Sequence, residues 1–402
     1  MKKLVAAMLL VCICLSLFGG CANNEEATPV TLTAEQVAAS QEDIAALEGL
    51  YEGKVPAYGD THAHSKSTER SDGKVLLEAW KDQMARLEMD FATIVDHCQT
   101  THMNHEQWDG DFFIGGSEPG WEVLGTEVKL HTNIDYSMLF AETEGIEAVL
   151  DKYPEEYQYD RTTGYFTKNR IEADRTKLAE VIQCIKDNGG MFVYVHPFLD
   201  NAYYDPTDRM NHWFADETGF EVFNQIAESH HPMYNDQAYE CWVELLNAGK
   251  RLWATRGSDC HSSLPVPETL NTLYTTERKA TTCFQELKVG NFTAGPVGIR
   301  IAVGDTVTGS TGSFEGNRVV VAVGDFHSQV VNPQNTYRVD IYDDKGLVYS
   351  QEISTTEMNY FAFDAKADAK YYRANVVSIS TNAATNLVTE KLMATGNPVF
   401  NG

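Results

Sequence analysis

Positive charge is scarce in this chain. Over 402 residues, 31 lysines and arginines stand against 58 aspartates and glutamates, a formal net charge of −27. Affinity for a phosphate backbone comes mainly from clustered Lys and Arg, so this balance argues against a nucleic-acid polymer as partner. It leaves small anionic substrates open, because bound divalent cations reverse the field locally. Cysteine offers no scaffold either. Cys12 and Cys14 lie in the N-terminal apolar segment and Cys21 directly follows it, which leaves Cys98, Cys184, Cys241, Cys260 and Cys283. An odd set with no Cys-x-x-Cys indicates neither a disulfide framework nor a zinc ribbon. There is no Gly-x-Ser-x-Gly elbow, no Walker loop and no dinucleotide fingerprint, which sets aside the chemistries those loops serve. No internal repeat is present, and no obligate protein partner is indicated. The apolar run Leu4 to Phe18 is too short to be a comfortable membrane span.

That run follows Lys2-Lys3 and precedes Gly19-Gly20-Cys21, the order of a secretory signal. Residues 1–20 are expected to be a signal peptide. Cys21 after Phe18-Gly19-Gly20 resembles the bacterial lipobox, which implies cleavage before Cys21, lipid on its thiol, and an extracytoplasmic protein anchored to the cell membrane. From Cys21 to Gly53 there is no Lys or Arg, so residues 21–55 are expected to form an acidic tether. Thr33 and Gln36 match a capping box, and Val37, Ile44, Leu47 and Leu50 follow at helical spacing.

The remaining length exceeds what one core usually supports. From residue 56 to 295 short apolar runs alternate with amphipathic stripes, the mark of α/β architecture. Ala57–Thr61, Phe91–Val95, Trp121–Val128, Met138–Ala141, Met191–Val195, Phe220–Phe223, Leu252–Thr255 and Leu270–Thr275 are the expected strands. Helical stripes run through Val75, Leu76, Ala79, Trp80, Met84 and Leu87, through Leu178, Val181, Ile182 and Ile185, and over Ala238–Ala248. The pattern predicts a barrel of parallel strands with the site at their C-terminal ends. The Tyr-rich stretch Asp151–Thr167 has no clear period and is expected to cover that site. From 296 to 402 the pattern turns to short alternating strands between Gly, Asn, Asp and Ser, as in Arg338-Val339-Asp340-Ile341-Tyr342. This predicts a small C-terminal β-sandwich.

Chemistry is concentrated where the apolar runs end. Gly59-Asp60-Thr61-His62-Ala63-His64-Ser65 is echoed by Gly257-Ser258-Asp259-Cys260-His261-Ser262, with Asp96-His97, Gly125-Thr126-Glu127 and His196-Pro197 between. In an extended His-x-His both imidazoles point the same way, so His62 and His64 can share one centre, as can Asp259 and His261. Imidazoles and carboxylates collected from several strand ends make a multinuclear metal site.

The ordered set resembles the polymerase-and-histidinol-phosphatase (PHP) family of metal-dependent phosphoesterases over roughly residues 56 to 290. The resemblance implies a distorted (β/α)7 barrel holding two or three divalent cations, some mixture of zinc, manganese and iron. It implies His62, His64, Asp72 (in Ser71-Asp72-Gly73), His97, Glu127, His131, His196, Asp259 and His261 as ligands, with Glu127 bridging. His64 lies farther from Asp72 than in the family's motif, and His131 follows Glu127 more closely than the family's histidine does; His102 and His105 are the reserves. The signal, the barrel and the β module ending in Gly396-Asn397-Pro398-Val399-Phe400 together look like the CehA/McbA branch, named for carbamate ester hydrolysis.

The implied activity is hydrolysis of a small or accessible phosphate ester by a metal-activated hydroxide held by His62, His64, Glu127 and Asp259. Arg256, beside the closing motif, is a candidate phosphate clamp, with Lys66 and Arg70 as lesser candidates. Asp96 is a candidate to orient a ligand ring. Two alternatives are carboxylic or carbamate ester hydrolysis at the same metals, and a catalytically inactive surface binding lipoprotein.

Overall fold

Strand β1 (Val55–Ala63) is wet on one face at its start and buried on both faces from Gly59 onward, as a strand is when it enters a sheet covered on both sides. The computed structural model to which it belongs describes residues 31–124, 131–166, 175–198, 214–231 and 233–402. The expected signal peptide lies outside the described residues. β2 (Phe91–Ile94) and β3 (Phe113–Ser117) continue from β1 in parallel. β4 (Gly120–Leu124) and β5 (His131–Phe140) pair antiparallel, and β5 then runs antiparallel to both β3 and β6 (Met191–Tyr194). β6, β7 (Thr218–Asn224) and β8 (Leu252–Gly257) are parallel again.

The expectation of an all-parallel barrel is therefore corrected. Among the described residues no helix intervenes between β3 and β5, and the chain reverses direction there. The sheet still curls until the end of β8 returns to β1. Ala63 at the end of β1 bridges Cys260 just past β8. His64 N–H donates to the Cys260 carbonyl at 3.2 Å and Asp259 N–H to the His62 carbonyl at 2.8 Å. Two His/Asp motifs far apart in sequence thus become neighbours through main-chain hydrogen bonds.

The helices cover the outside. Leu77–Arg86 buries Leu77, Trp80 and Met84, while Leu76, counted in the expected stripe, is exposed. The Trp80 indole N–H donates to the His64 carbonyl at 3.0 Å, so this helix holds the first histidine pair from behind. Arg175–Asp187 buries Leu178, Val181, Ile182 and Ile185, and Tyr234–Asn247 buries Ala238, Cys241, Trp242, Leu245 and Leu246. None of the five cysteines forms a disulfide. Among the described residues no helix is long and apolar enough to cross a membrane.

On the other side of β1, β9 (Asn271–Thr275) pairs antiparallel with β1 and passes the sheet on to Phe292–Ala294. That short strand pairs in turn with Val388–Gly396, so the main-chain ladder crosses residue 295 without a break. Val388–Gly396, Tyr371–Thr381, Thr336–Asp343 and Gly346–Ile353, in that spatial order, extend the large sheet with antiparallel pairings. A second sheet of four strands is built on Val297–Val303, Arg318–Phe326 and Asn359–Asp364. Ile299, Val319, Val321, Val339, Ile341, Val376 and Tyr372 from the two sheets meet in one apolar cluster.

The stretch expected as a tether is docked from Thr31 onward. Leu32 N–H donates to the Val348 carbonyl, and Ala38 bridges Phe361. Thr33 N–H is bonded to the Gln36 side chain, but the helix starts later, at Gln41–Leu50, where Ser40 and Asp43 cap each other. Glu48 then takes both guanidinium nitrogens of Arg300 at 2.7 and 2.9 Å, with Tyr360 donating to the same carboxylate. The Arg300 guanidinium lies over Tyr51 and Tyr274.

Burial pushes the Glu48 carboxyl up, but the Arg300 fork and the Tyr360 hydroxyl outweigh it and hold it below the usual range. Glu48→Ala should cost roughly 1–3 kcal/mol, because it strands a buried guanidinium, read as a lower urea midpoint at unchanged slope. Since the folded-state pKa is depressed, this contribution is complete above the ordinary glutamate range and is lost as pH falls through the folded value. The midpoint difference between wild type and variant should therefore shrink below about pH 4. A difference that persists in acid would mean that packing, not the ion pair, holds the helix.

Candidate metal centre

Seven of the nine residues expected as ligands come together where β1, β2, β6 and β8 end. His62 Nε2 and His64 Nε2 face each other at 3.3 Å. Asp259 Oδ1 stands 3.5 Å from the first and 3.3 Å from the second. The carboxylate that spans them is Glu118, just past β3 and 1% exposed. Its Oε2 lies 3.2 Å from both His62 Nε2 and His64 Nε2, and its Oε1 lies 2.8 Å from His196 Nε2. Beside this buried group is a more open one. Asp72 Oδ2 is 3.1 Å from His261 Nε2 and 3.3 Å from His97 Nε2, and Asp72 Oδ1 is 3.8 Å from His64 Nδ1. The His64 ring is stacked on His261 and on His97, with centroids 3.9 and 4.9 Å apart. The donors thus fall into two groups, His62/His64/Glu118/Asp259 and His64/Asp72/His97/His261, whose ligand atoms lie within 4.8 Å of one another in each group and which share His64.

Three of the five rings, those of His62, His97 and His261, are oriented through their second nitrogen, the arrangement by which a metal-binding histidine is held in one tautomer. His97 Nδ1 is 3.1 Å from the Glu118 carbonyl and His261 Nδ1 is 2.9 Å from the Asp259 carbonyl. His62 Nδ1 is 3.0 Å from Glu221 Oε1. The other oxygen of Glu221 accepts from His196 N–H at 2.7 Å and from Asn224 Nδ2 at 2.9 Å. Asn224 Nδ2 reaches on to Asp259 Oδ2 at 3.4 Å. Gly257 makes room for this buttress, since a Cβ there would collide with Glu221 Oε1 and His62 Cβ. Asp60, fully buried, accepts from His62 N–H and Ser258 N–H and ties the two motif loops together. Burial pushes its carboxyl up to about 7, against the hydrogen bonds it accepts.

Some of the chain's backbone strain lies at the same place. His196, Asp259 and Cys98 all have positive φ, at 25°, 53° and 50°. Such conformations cost on the order of 1–3 kcal/mol each in non-glycine residues and persist only where the surroundings enforce them.

The electrostatics fit a cation. Burial alone would lower the pKa of His62, but Glu221, Asp259 and Glu118 hold it well above the usual imidazole range. In the same way, against the effect of burial, the carboxylates raise His64 to about 10 and His196 to about 9. Burial would raise Glu118, Asp259 and Asp72, yet the surrounding imidazoles hold all three below the usual carboxylate range. This cluster therefore draws positive charge into the interior, and a divalent cation supplies more of it than a proton. Asp259 Oδ1, Asp72 Oδ1 and His64 Nδ1 are buried and have no hydrogen-bond partner among the described residues. The donors are imidazole nitrogen and carboxylate oxygen without thiolate, a set that suits zinc, manganese or iron.

The remaining expectations fare differently. Glu127 lies outside the described residues. His131 opens β5, where its main chain pairs with Leu124. Glu118 and Glu221 were not expected. Glu118 carries the same signal as Glu127, because Gly116-Ser117-Glu118 is also a Gly-x-Glu at a strand end. Glu221 showed only as an acid inside an apolar run. Arg256 is corrected, since its guanidinium donates to the carbonyls of Glu268 and Leu392 and lies over Phe223, joining β8 to the C-terminal strands and not facing the donors. Asp96 does not orient a ligand ring. It accepts from Ser65 N–H, Ser65 Oγ, Ser67 Oγ and Ser71 Oγ and so ties down the loop that leads to Asp72. His102 is fully buried behind it, 3.6 Å from Asp96. The stretch expected to cover the site packs on Cys98–Thr100, with Phe166 N–H donating to the Cys98 carbonyl and Thr100 N–H to the Gly164 carbonyl.

No family model and no curated protein matches the chain. Among solved structures it is similar to endonuclease Q in complex with a 27-mer duplex substrate bearing an abasic lesion at the active site, at 12% identity and a TM-score of 0.35, over 59% of this chain and 58% of that one. The chain thus spans a little over half the length of endonuclease Q. It is also similar to a protein described as a metal-dependent phosphoesterase from Bifidobacterium adolescentis, at 16% identity and a TM-score of 0.30, over 50% of this chain and 87% of that one. An amidohydrolase from Chromobacterium violaceum matches at 16% identity and a TM-score of 0.31, over 51% and 87%. The exclusion of a nucleic-acid polymer, drawn above from net charge, is withdrawn on the endonuclease Q finding. Net charge averages the whole surface, whereas binding answers to the local field at the site.

Glu221→Gln keeps the size of the side chain but must set an amide N–H against His62 Nδ1–H or against the His196 and Asn224 donors. It should weaken manganese or zinc binding by at least about tenfold, measured by competition with a chelating dye, at unchanged circular dichroism. Wild-type affinity in this variant would reduce Glu221 to packing.

Proposed function

We propose that this protein is a metal-dependent hydrolase that cleaves a phosphate ester, with a PHP-type curled sheet holding two or more divalent cations. The observation that carries this is Glu118, a buried carboxylate whose two oxygens reach three imidazoles, next to a second donor group that shares His64. His62, His64, His196, Glu118 and Asp259 would hold the buried cation, and Asp72, His97 and His261 the outer one. Such cations lower the pKa of a water towards about 7 and neutralise the charge of a phosphate group.

The chain's own residues do the rest. Glu221 fixes the tautomer of His62, and the Glu118 and Asp259 carbonyls fix those of His97 and His261. The substrate approaches from the outer group, since the side chains of His97, His261 and Asp72 are 33%, 32% and 43% exposed while those of the inner group are closed off. A buried inner group and an open outer one define the direction of attack. An inactive scaffold would have no use for so many interior charges, which are costly when left uncompensated. The C-terminal β module, as a small sandwich, braces β8 and the N-terminal helix from behind, and the N-terminal segment is proposed to export the chain and anchor it through lipid on Cys21.

The test uses residues 22–402 loaded with manganese or zinc, comparing an aryl phosphate with the matching aryl carboxylic ester. The phosphate ester should be turned over faster, and Asp259→Ala or His62→Ala should lower kcat at least about a hundredfold with the fold intact. Hydrolysis of the carboxylic ester alone would assign the cluster to ester chemistry.

A further inference from the structure

The open side of the donor cluster is framed by two loops. One runs from Ser65 to Asp72 and is fastened to Asp96 by three serines. Gly73 closes it, packed so tightly on the Ser65 main chain that a Cβ would collide there. The other loop carries His97 and continues to Gln99. Gln99 Nε2 donates to Ser71 Oγ at 3.2 Å and so joins the two loops. On this seam lie two side chains that the site described so far does not use. Arg70, two residues before Asp72, is exposed, and its guanidinium carbon is 4.4 Å from the centroid of Tyr165. The main chain of Tyr165 bridges Gln99, two residues past His97. Among the described residues no carboxylate forms a salt bridge with Arg70, in a chain with 58 acidic residues.

We infer that Arg70, held over the ring of Tyr165, is the phosphate clamp of this site and determines its preference for phosphate over neutral esters. The inference rests on the phosphate-ester reading above. A guanidinium presents a planar fork of donors that matches two phosphate oxygens, which an ammonium does not. A cation–π contact with a tyrosine restrains a long side chain before the substrate arrives, so less freedom is lost on binding. Arg256 is not placed to serve, because it is buried and its two terminal guanidinium nitrogens donate to the Glu268 and Leu392 carbonyls. The phosphate could belong to a free monoester or to a nucleic-acid backbone, and the substrates below separate the two.

The test measures inorganic phosphate binding by calorimetry, and turnover of an aryl phosphate monoester, a dinucleotide and an aryl carboxylic ester. It uses metal-loaded wild type, Arg70→Ala, Arg70→Lys and Tyr165→Leu, with metal content checked in each. Arg70→Ala should weaken phosphate binding and raise KM for the phosphate ester about tenfold or more, with metal content and carboxylic-ester KM unchanged. Arg70→Lys should recover only part of the loss, and Tyr165→Leu should fall between. The better phosphate substrate, monoester or dinucleotide, identifies the source of the phosphate. A wild type that binds phosphate through Arg70 yet cleaves only the carboxylic ester would sink the proposed reaction and leave the clamp standing. Phosphate binding no tighter in wild type than in Arg70→Ala, at equal metal content, would overturn the clamp whatever the reaction.

Discussion

A carboxylate that is 1% exposed and surrounded by imidazoles must be balanced by positive charge. Glu118 is that group, and the geometry around it follows from the need to compensate it. His62 and His64 reach one of its oxygens from β1, and His196 reaches the other from the end of β6. These three can converge only because the sheet curls far enough to bring the end of β8 back beside β1, through the hydrogen bonds of His62, His64, Asp259 and Cys260. The curl is in turn secured by Asp60, which accepts main-chain N–H groups from both loops. Loss of that seam would separate the inner donors and leave several buried charges without partners.

The site carries several energetic costs at once. Three non-glycine residues hold positive φ, a buried glycine gives up its side chain for Glu221, and three carboxylates share the inner space with three imidazoles. The surrounding structure offsets this with ordinary apolar burial. Trp80, Phe91, Trp242 and Tyr136 are fully buried within the α/β portion, and the C-terminal strands add a second apolar cluster. The unevenness follows a division of labour: the sheets and helices fold by apolar pattern, and the strand ends carry strained, charged and solvent-facing chemistry.

Most of the donor set was legible because its residues stand in short motifs where apolar runs stop, and a curled sheet gathers strand ends. His62 with His64, Asp259 with His261, His97, His196 and Asp72 could be seen in this way. Glu118 was not singled out, because Gly116-Ser117-Glu118 and Gly125-Thr126-Glu127 are the same pattern nine positions apart, and that Glu118 faces the donors depends on the β3 register. Glu221 was missed because an acid in an apolar strand follows no spacing rule until the facing residue is known. Arg256 was misjudged because adjacency along a strand implies opposite faces, so a residue next to Gly257 points away from the site. In the fold, the alternating C-terminal strands were plain, whereas the reversal at β5 goes with the absence of a crossover helix among the described residues. The cap read at Thr33 is not the helix start; the helix begins after Ser40, which forms the cap with Asp43, and Asp43 and Glu48 pair with Arg318 and Arg300.

The central claim is that these donors hold metal. Metal per chain, determined by plasma mass spectrometry on protein purified without chelator, tests it directly in wild type and in Glu118→Ala. The account predicts two or more equivalents of zinc, manganese or iron in the wild type and a clear loss in the variant. Less than one equivalent after reconstitution, or the same content in both proteins, would contradict it.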